Sequence, residues 1–317
     1  MPENAGDVLT TKLLGYARDL ALSTGAKAIL VYADVFKKPG SLEQFIQECE
    51  SDNDQVQVDV VLATRDPEVF EECKSRHSQV LNVPPVQLTR SGQIKMAMLL
   101  GFTQGLFKHG DKLICCTGMS GSAVIDTVMY METQEELELF ASSLSEQITD
   151  GVRPEVFERL LSIAVELGNE GREGHPVGTT FVIGCIEDVL RHSEQMILNP
   201  FQGYPRESRN VLDYSLRETI KEFATIDGAF IVTGDGYVER AGTFLRSTVP
   251  GVKLPSGLGA RHKSAAAITA ATDAVSITVS QSTGTVTVYH RGRILTEIER
   301  PRPIGEAAPR VTLSEEQ

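Results

Sequence analysis

From residue 26 to residue 131 short aliphatic runs alternate with amphipathic stretches, and few folds accept that alternation. The strand-like runs are 26–33 (AKAILVYA), 57–63 (QVDVVLA), 112–117 (KLICCT) and 124–131 (VIDTVMYM). Between them, 42–49 and 67–73 read as short amphipathic helices and 94–107 as a longer, more buried one. Strands alternating with helices predict a mostly parallel sheet with helices on both faces, a three-layer α/β domain. Phe107 to Asp111 (FKHGD) reads as a helix end, with Gly110 suited to the left-handed cap position and basic side chains near the negative end of the dipole.

The pattern then changes. Residues 142–151 are polar, and Pro154 suits the first position of a new helix, so the boundary is placed between domains 1–148 and 149–317. Val156, Phe157, Leu160, Leu161, Ala164 and Leu167 recur at helical spacing, giving one apolar stripe. A strand at 179–184 and a helix at 212–223 follow. Strands at 229–233 and 237–239 are joined through Gly234-Asp235-Gly236, a tight-hairpin signal. A helix at 265–271 and strands at 274–280, 285–290 and 294–298 complete a second α/β domain, its sheet mixed and largely antiparallel. The proline-bearing tail from Arg300 reads as loosely ordered. At 317 residues the chain can bury a sizeable core without disulfide or metal staples.

Charge and composition exclude several functions. The net charge of −13 belongs to the first two thirds: from Phe201 onward 14 basic residues meet 13 acidic ones, against 16 and 30 before it. An acidic surface repels phosphate backbones, so no nucleic-acid partner is expected, whereas the near-neutral last third can hold a small polyanion in a local basic site. No apolar run reaches the ~18 residues a membrane helix requires, and no secretory leader is visible, so the expectation is a cytoplasmic protein with no membrane partner. Five cysteines (Cys49, Cys73, Cys115, Cys116, Cys185) form an odd set with no CxxC spacing, which predicts buried thiols in a reducing compartment. Cys115 and Cys116, adjacent on a strand, point to opposite faces.

The segment 255–264 (PSGLGARHKS) is the richest in chemistry. Gly257 and Gly259 permit close backbone approach, Arg261, His262 and Lys263 follow, and an alanine-rich helix begins at once. Helix-start N–H groups, a guanidinium fork and a mobile ammonium together suit an anion; a solvated basic helix cap is the plainer reading. The spacing approaches a phosphate loop, but His262 stands where that motif needs glycine and no strand precedes it. Asp227-Gly228-Ala229 places a carboxylate at a strand edge beside a residue with no side chain, which suits a magnesium or manganese ion shared with substrate phosphates, or simply a turn cap. Ser280-Gln281-Ser282-Thr283-Gly284 reads as a hairpin turn at the sheet rim. The glycine-dense 170–178 (EGREGHPVG) is a loop that must pass close to other backbone. His175 has no second ligand at metal spacing, and the G-x-S-x-G nucleophile spacing is absent.

Asp227-Gly228-Ala229, the GLGARHK stretch some thirty residues on, and Thr272-Asp273-Ala274 leading into Val279-Ser280 resemble the diadenylate cyclase domain, whose hallmarks are a DGA and an RHR motif at this separation. With the EGREGHPVG loop and Leu198-Asn199-Pro200-Phe201, the second half is similar to the archaeal DacZ-type cyclases. In that group the N-terminal domain is like the C-terminal α/β domain of pyruvate kinase, here matched by Gly105 to Asp111 and by Gly118-Met119-Ser120-Gly121.

The resemblance implies condensation of two ATP molecules into cyclic di-AMP with release of two pyrophosphates, using Mn2+ or Mg2+, at a two-fold, face-to-face contact between subunits of a homo-oligomer. It assigns metal and reacting centre to Asp227, and catalytic phosphate contacts to Arg261 and His262. It places Gly228, Ala229, Gly242, Leu245, Gly259, Ala260, Lys263, Ser280 and Gln281 with them around ATP, Leu245 and Gly242 near the adenine. Three positions depart from the family pattern: Lys263 for arginine, Ala260 for threonine, and Gln281-Ser282 for two acids. A non-catalytic sensor of ATP or cyclic di-AMP is the alternative those departures leave.

Overall fold

A computed structural model describes residues 5–36, 39–50, 58–77, 79–133, 151–246 and 259–301. The domain boundary at 148/149, the tail beyond Pro301 and the Pro255–Leu258 part of the basic motif lie outside the described residues.

The first sheet is built from β1 (Ala28–Tyr32), β2 (Asp59–Thr64), β3 (Val80–Asn82), β4 (Lys112–Thr117) and β5 (Thr127–Glu132) in the order β3-β2-β1-β4-β5. The first four are parallel and β5 runs antiparallel to β4. Alternation along each strand divides the core. Ile29, Val31, Val60, Leu62, Ile114 and Cys116 face α1 (Ala5–Thr24), α2 (Pro39–Glu50) and α3 (Pro67–Arg76). Leu30, Tyr32, Val61, Ala63 and Cys115 face α4 (Arg90–Thr103). The expected three layers are present, and the two adjacent cysteines do lie on opposite faces. Asp66 caps α3 by accepting from the Glu68 and Val69 N–H groups, ahead of Pro67; Thr89 caps α4 by accepting from Gly92 N at 3.0 Å. α1, whose buried stripe includes only small Ala17 and Ala21 beside Leu14 and Thr10, and the three-residue β3 escape the sequence reading.

One helix end is corrected. α4 stops at Thr103, not at Phe107, because Gly105 (φ +72°) takes the left-handed conformation and reverses the chain. Phe107 then folds back fully buried against Gly101, where a β-carbon would lie 2.2 Å from its ring, and packs edge-on to Phe102. Gly110 (φ +84°) belongs to a separate turn ahead of β4. The expectation of five buried thiols is corrected as well: Cys185 is exposed, in a left-handed conformation at a helix start, and Cys73 is half-buried on α3.

The second sheet has seven strands in the order β12-β11-β10-β6-β8-β9-β7. They are β6 (Thr179–Ile183), β7 (Ser193–Gln195), β8 (Ala229–Val232), β9 (Val238–Leu245), β10 (Val275–Val279), β11 (Val286–His290) and β12 (Arg293–Ile298). Only β6 and β8 pair in parallel; the other neighbours are antiparallel, so the sheet is mixed and largely antiparallel, as expected. α5 (Pro154–Glu170) and α7 (Leu216–Phe223) pack on one face. α6 (Ile186–Arg191) and α8 (Ala260–Ala271) pack on the other, where Ala265, Ala266 and Ile268 meet Tyr289, Val182 and Ile231. The apolar stripe of α5 is fully buried, and its core is continuous with that of α4, so the two sheets share one apolar interior. Thr89 N–H donates to the Glu299 carbonyl at 3.4 Å, fixing the end of β12 on the start of α4.

Candidate functional site

Asp227 lies at the end of the turn entering β8, and Arg261 in the first turn of α8; 34 residues apart, they meet with Arg261 Nη2 donating to Asp227 Oδ1 at 2.9 Å. The pair is open: the Asp227 side chain is 74% exposed and that of Arg261 35%. Glycine is what brings backbone to backbone here. Gly228 has φ +106°, and a β-carbon on it would lie 2.6 Å from Thr243 N and 2.7 Å from the Gly242 carbonyl carbon. Gly242 itself (φ +65°) is covered by Ile197, which a β-carbon would strike at 2.4 Å. Backbone excludes any side chain at Gly228, and one at Gly242 would have to displace Ile197, so Asp227 projects from a cleared floor formed by β8 and β9.

The third wall is the turn after β10. A β-carbon on Gly178 would sit 2.8 Å from Gln281 Cβ and 3.1 Å from Arg261 Nη1, so the 170–178 loop, the Ser280–Gly284 turn and Arg261 converge at one point. The loop does pass against other backbone, as its glycine density predicts: Gly171 lies under the His175 carbonyl. Arg172 anchors it to α7 through Glu218 at 2.8 Å and Glu222 at 2.6 Å. Gly178 and Ile197 are site residues that the sequence reading did not single out; the glycine run was the signal for the first, and Ile197 had none.

α8 begins at Gly259, which offers no capping side chain, so the N–H groups of its first turn point outward with partial positive charge. Lys263 is exposed on that turn, and Arg261 Nε is buried without a partner among the described residues, a donor open to an acceptor. His262 turns into the helix–sheet interior, its ring 6.2 Å from that of Tyr289 and its Nδ1 buried without a partner among the described residues. Burial, aided by the neighbouring Arg261 guanidinium, lowers its pKa below the usual histidine value. Ser280 and Gln281 sit at the rim, and Ala229 and Leu245 are buried beneath, Leu245 packed with Val182 and Ile268.

Asp227 is the carboxylate of this cleft that could hold a cation; the described residues hold no group of three His, Cys, Asp or Glu side chains. One carboxylate oxygen free of Arg261 fits an ion that takes its remaining ligands from phosphates and water; it does not fit an all-protein cage. Overall the arrangement can neutralise a chain of phosphates and hold a hydroxyl near a carboxylate.

Both halves of the chain are similar to known proteins. Residues 166–294 match the domain family described as DisA bacterial checkpoint controller nucleotide-binding, and residues 9–141 match the probable sensor domain DacZ_P. The chain is 30% identical over 302 residues to a diadenylate cyclase of Methanocaldococcus jannaschii, spanning 90% of this chain and 96% of that one. It is 33% identical over 201 residues to a diadenylate cyclase of Haloferax volcanii, spanning 62% of this chain and 71% of the other. Among solved structures, a hypothetical membrane spanning protein from Bacillus cereus is similar over 49% of this chain and 68% of its own, with 17% identity and a TM-score of 0.36, too distant to carry an argument. No helix among the described residues is long and apolar enough to cross a membrane.

Proposed function

The chain belongs to the diadenylate cyclase family, a family of nucleotidyltransferases, and from that premise we propose that it condenses two ATP molecules into cyclic di-AMP at the Asp227–Arg261 cleft, releasing two pyrophosphates. The observation that carries this reading is the exposed Asp227–Arg261 pair, set on a floor cleared by Gly228 and Gly242 and walled by the start of α8.

Each half-reaction joins a ribose 3′-oxygen to the α-phosphorus of the other ATP and breaks that phosphorus's bond to pyrophosphate, so negative charge grows on phosphate oxygens and on the leaving group. Arg261, with its unpartnered Nε, and Lys263 lie where they can hold those oxygens, aided by the open N–H groups of α8. Asp227 exchanges its bond to Arg261 for the reacting centre and accepts the hydroxyl proton. His262, kept neutral by burial, acts as an uncharged hydrogen-bonding neighbour rather than a second cation. Gly228, Ala229, Gly259, Ala260, Ser280 and Gln281 form the contact surface for the nucleotide, and the adenine lies beside Gly242 over the buried Leu245. Asp227 would hold a manganese or magnesium ion, which adds positive charge at the phosphates when bound.

One cleft per chain cannot supply two mutually attacking nucleotides, so two copies face each other about a two-fold axis. Met196, Ile197, Leu198 and Phe244 support this: they are 41 to 94% exposed, on or just beyond the edge strand β7 and its neighbour β9, beside Gly242. The direct test mixes the purified chain with ATP and manganese or magnesium and quantifies products by chromatography. Cyclic di-AMP and pyrophosphate in a one-to-two ratio are expected. Saturable ATP binding without product would instead establish a nucleotide sensor.

A further inference from the structure

A cavity of about 220 Å³ lies between the two halves of the molecule, away from the cyclase cleft. One wall is the carboxyl ends of β2 and β3, with Arg65 and Asn82; the other is α5 and the start of α7, with Arg159, Tyr214 and Arg217. The carboxyl ends of parallel strands are where open α/β sheets take up ligands, because several chain ends and their N–H groups diverge there.

The charges of this cavity do not balance. Arg65 is held by Asp34 at 2.7 Å, and Arg217 by Glu166, which is buried and also binds Lys221 at 2.6 Å. Arg159 has no carboxylate partner among the described residues. Its guanidinium stands 5.8 Å from the centroid of the Tyr214 ring, and that of Arg217 stands 5.4 Å from the same centroid. Glu158 also lines the cavity, but its carboxylate is engaged on the α4 side, accepting from Thr103 Oγ1 at 2.8 Å and Gln104 Nε2 at 3.2 Å. The Arg217 fork is filled by Glu166 and by Tyr214 Oη at 2.8 Å, so among the described residues the open fork is that of Arg159, which with the Asn82 amide across the gap matches a small oxyanion. The volume, some seven waters at about 30 Å³ each, suits a molecule of about ten non-hydrogen atoms.

The same helix reaches the cyclase cleft. At its far end Gly168 packs so tightly on the Ser280–Gly284 turn that a β-carbon would lie 2.3 Å from the Gly284 carbonyl oxygen. Arg300 clasps both, donating to the Thr283 carbonyl at 3.0 Å and to the Asn169 carbonyl at 3.4 Å. Beyond it runs the loop that meets Arg261 at Gly178. α5 thus connects the cavity at Arg159 with the turn that carries Ser280 and Gln281.

We propose that this interdomain cavity is a regulatory site for a small phosphorylated metabolite, gripped by Arg159 and transmitted along α5 to the Ser280–Gly284 turn. The binding half stands by itself, while the regulatory half rests on the cyclase reading. The test is calorimetric titration of the full chain with glycerol 3-phosphate, with inorganic phosphate and glycerol in parallel, on wild type, Arg159→Gln, Arg159→Glu and Arg261→Ala, each first checked for a native melting curve. Saturable binding of glycerol 3-phosphate to wild type and Arg261→Ala, weakened about tenfold or more by Arg159→Glu, is expected, with a change in cyclisation rate in wild type that the Arg159 variants lose. Inorganic phosphate binding equally well would identify free phosphate as the source. No saturable binding by either probe, or equal affinity in Arg159→Glu, overturns the proposal. So does binding lost only in Arg261→Ala, which would put the anion in the cyclase cleft, and binding without any change in rate removes the regulatory half.

Discussion

The two halves of the molecule each place an aspartate against an arginine at the end of strands, and the environments could hardly differ more. In the first half Asp34 accepts from Thr64 Oγ1, from Arg65 N at 3.1 Å and from Arg65 Nε at 2.7 Å, while Arg65 also donates to Ser120. Those side chains are 13% and 19% exposed. In the second half, among the described residues, Asp227 has one side-chain bond, to Arg261, and stands 74% exposed. A carboxylate with its lone pairs already filled ties strands together; one left open on glycine-cleared ground can exchange its partner for a substrate. The same residue pair is filled and largely buried in one half and open in the other, which is what the proposed catalytic role of Asp227 requires: solvent access and unfilled hydrogen-bonding capacity.

The largest effect that would break this contrast concerns Asp227. Asp227→Asn is expected to lower cyclic di-AMP formation by about a thousandfold or more, equivalent to roughly 4 kcal/mol in the barrier, with the melting curve unchanged; activity within a few-fold of wild type would remove Asp227 from the chemistry. Asp34→Asn should do the reverse. Breaking this largely buried pair leaves the Arg65 guanidinium without its counter-charge, so a loss of about 2–3 kcal/mol is expected in urea unfolding, while the folded variant retains cyclase activity.

Glycine substitutions sharpen the comparison at the next level. Gly228→Ala combines a positive φ with a 2.6 Å clash against β9, so it should cost about 1–3 kcal/mol and cut the rate at least about tenfold by displacing Asp227. Gly105→Ala, at φ +72° in open space, should cost about 1 kcal/mol and leave the rate alone. Acid should act on the second sheet. Burial lowers the pKa values of both His262 and His290 from the usual 6.5, so the unfolded chain takes up protons first as pH falls. Their stabilising contribution is full above about pH 6.5 and is lost as pH falls towards and through the lowered folded values. Urea midpoints compared at pH 7.5 and at acid pH should fall, and less steeply in His290→Asn. The smallest effect expected is that of Lys263→Arg, a change of no more than about threefold in rate, since the exposed first turn of α8 accepts either cation.

Much of this was legible in the chain itself. Strand and helix alternation gave the first sheet, and the stripe on α5 and the Gly234-Asp235-Gly236 turn gave much of the second. The DGA and ARHK segments named the residues that meet. Other features lay beyond local reading. The end of α4 depended on Phe107 finding the gap at Gly101, a contact that only folding creates. Ile197 joined the site because Gly242 leaves room for it, and Arg159 is conspicuous only once the partners of Arg65 and Arg217 are seen. Leu245, expected beside the nucleotide, proved to be 3% exposed and packed in the sheet interior, because alternation along β9 turns it inward and Phe244 outward.

The sequence by itself determined the element types, the mixed character of the second sheet and the chemistry available to it, because periodicity, glycine and charge act over a few residues. Tertiary structure alone decided which aspartate is open and which is filled. It also decided that the strand ends of one sheet and a helix of the other enclose a basic cavity, since burial and partner count are set by residues far apart in the chain.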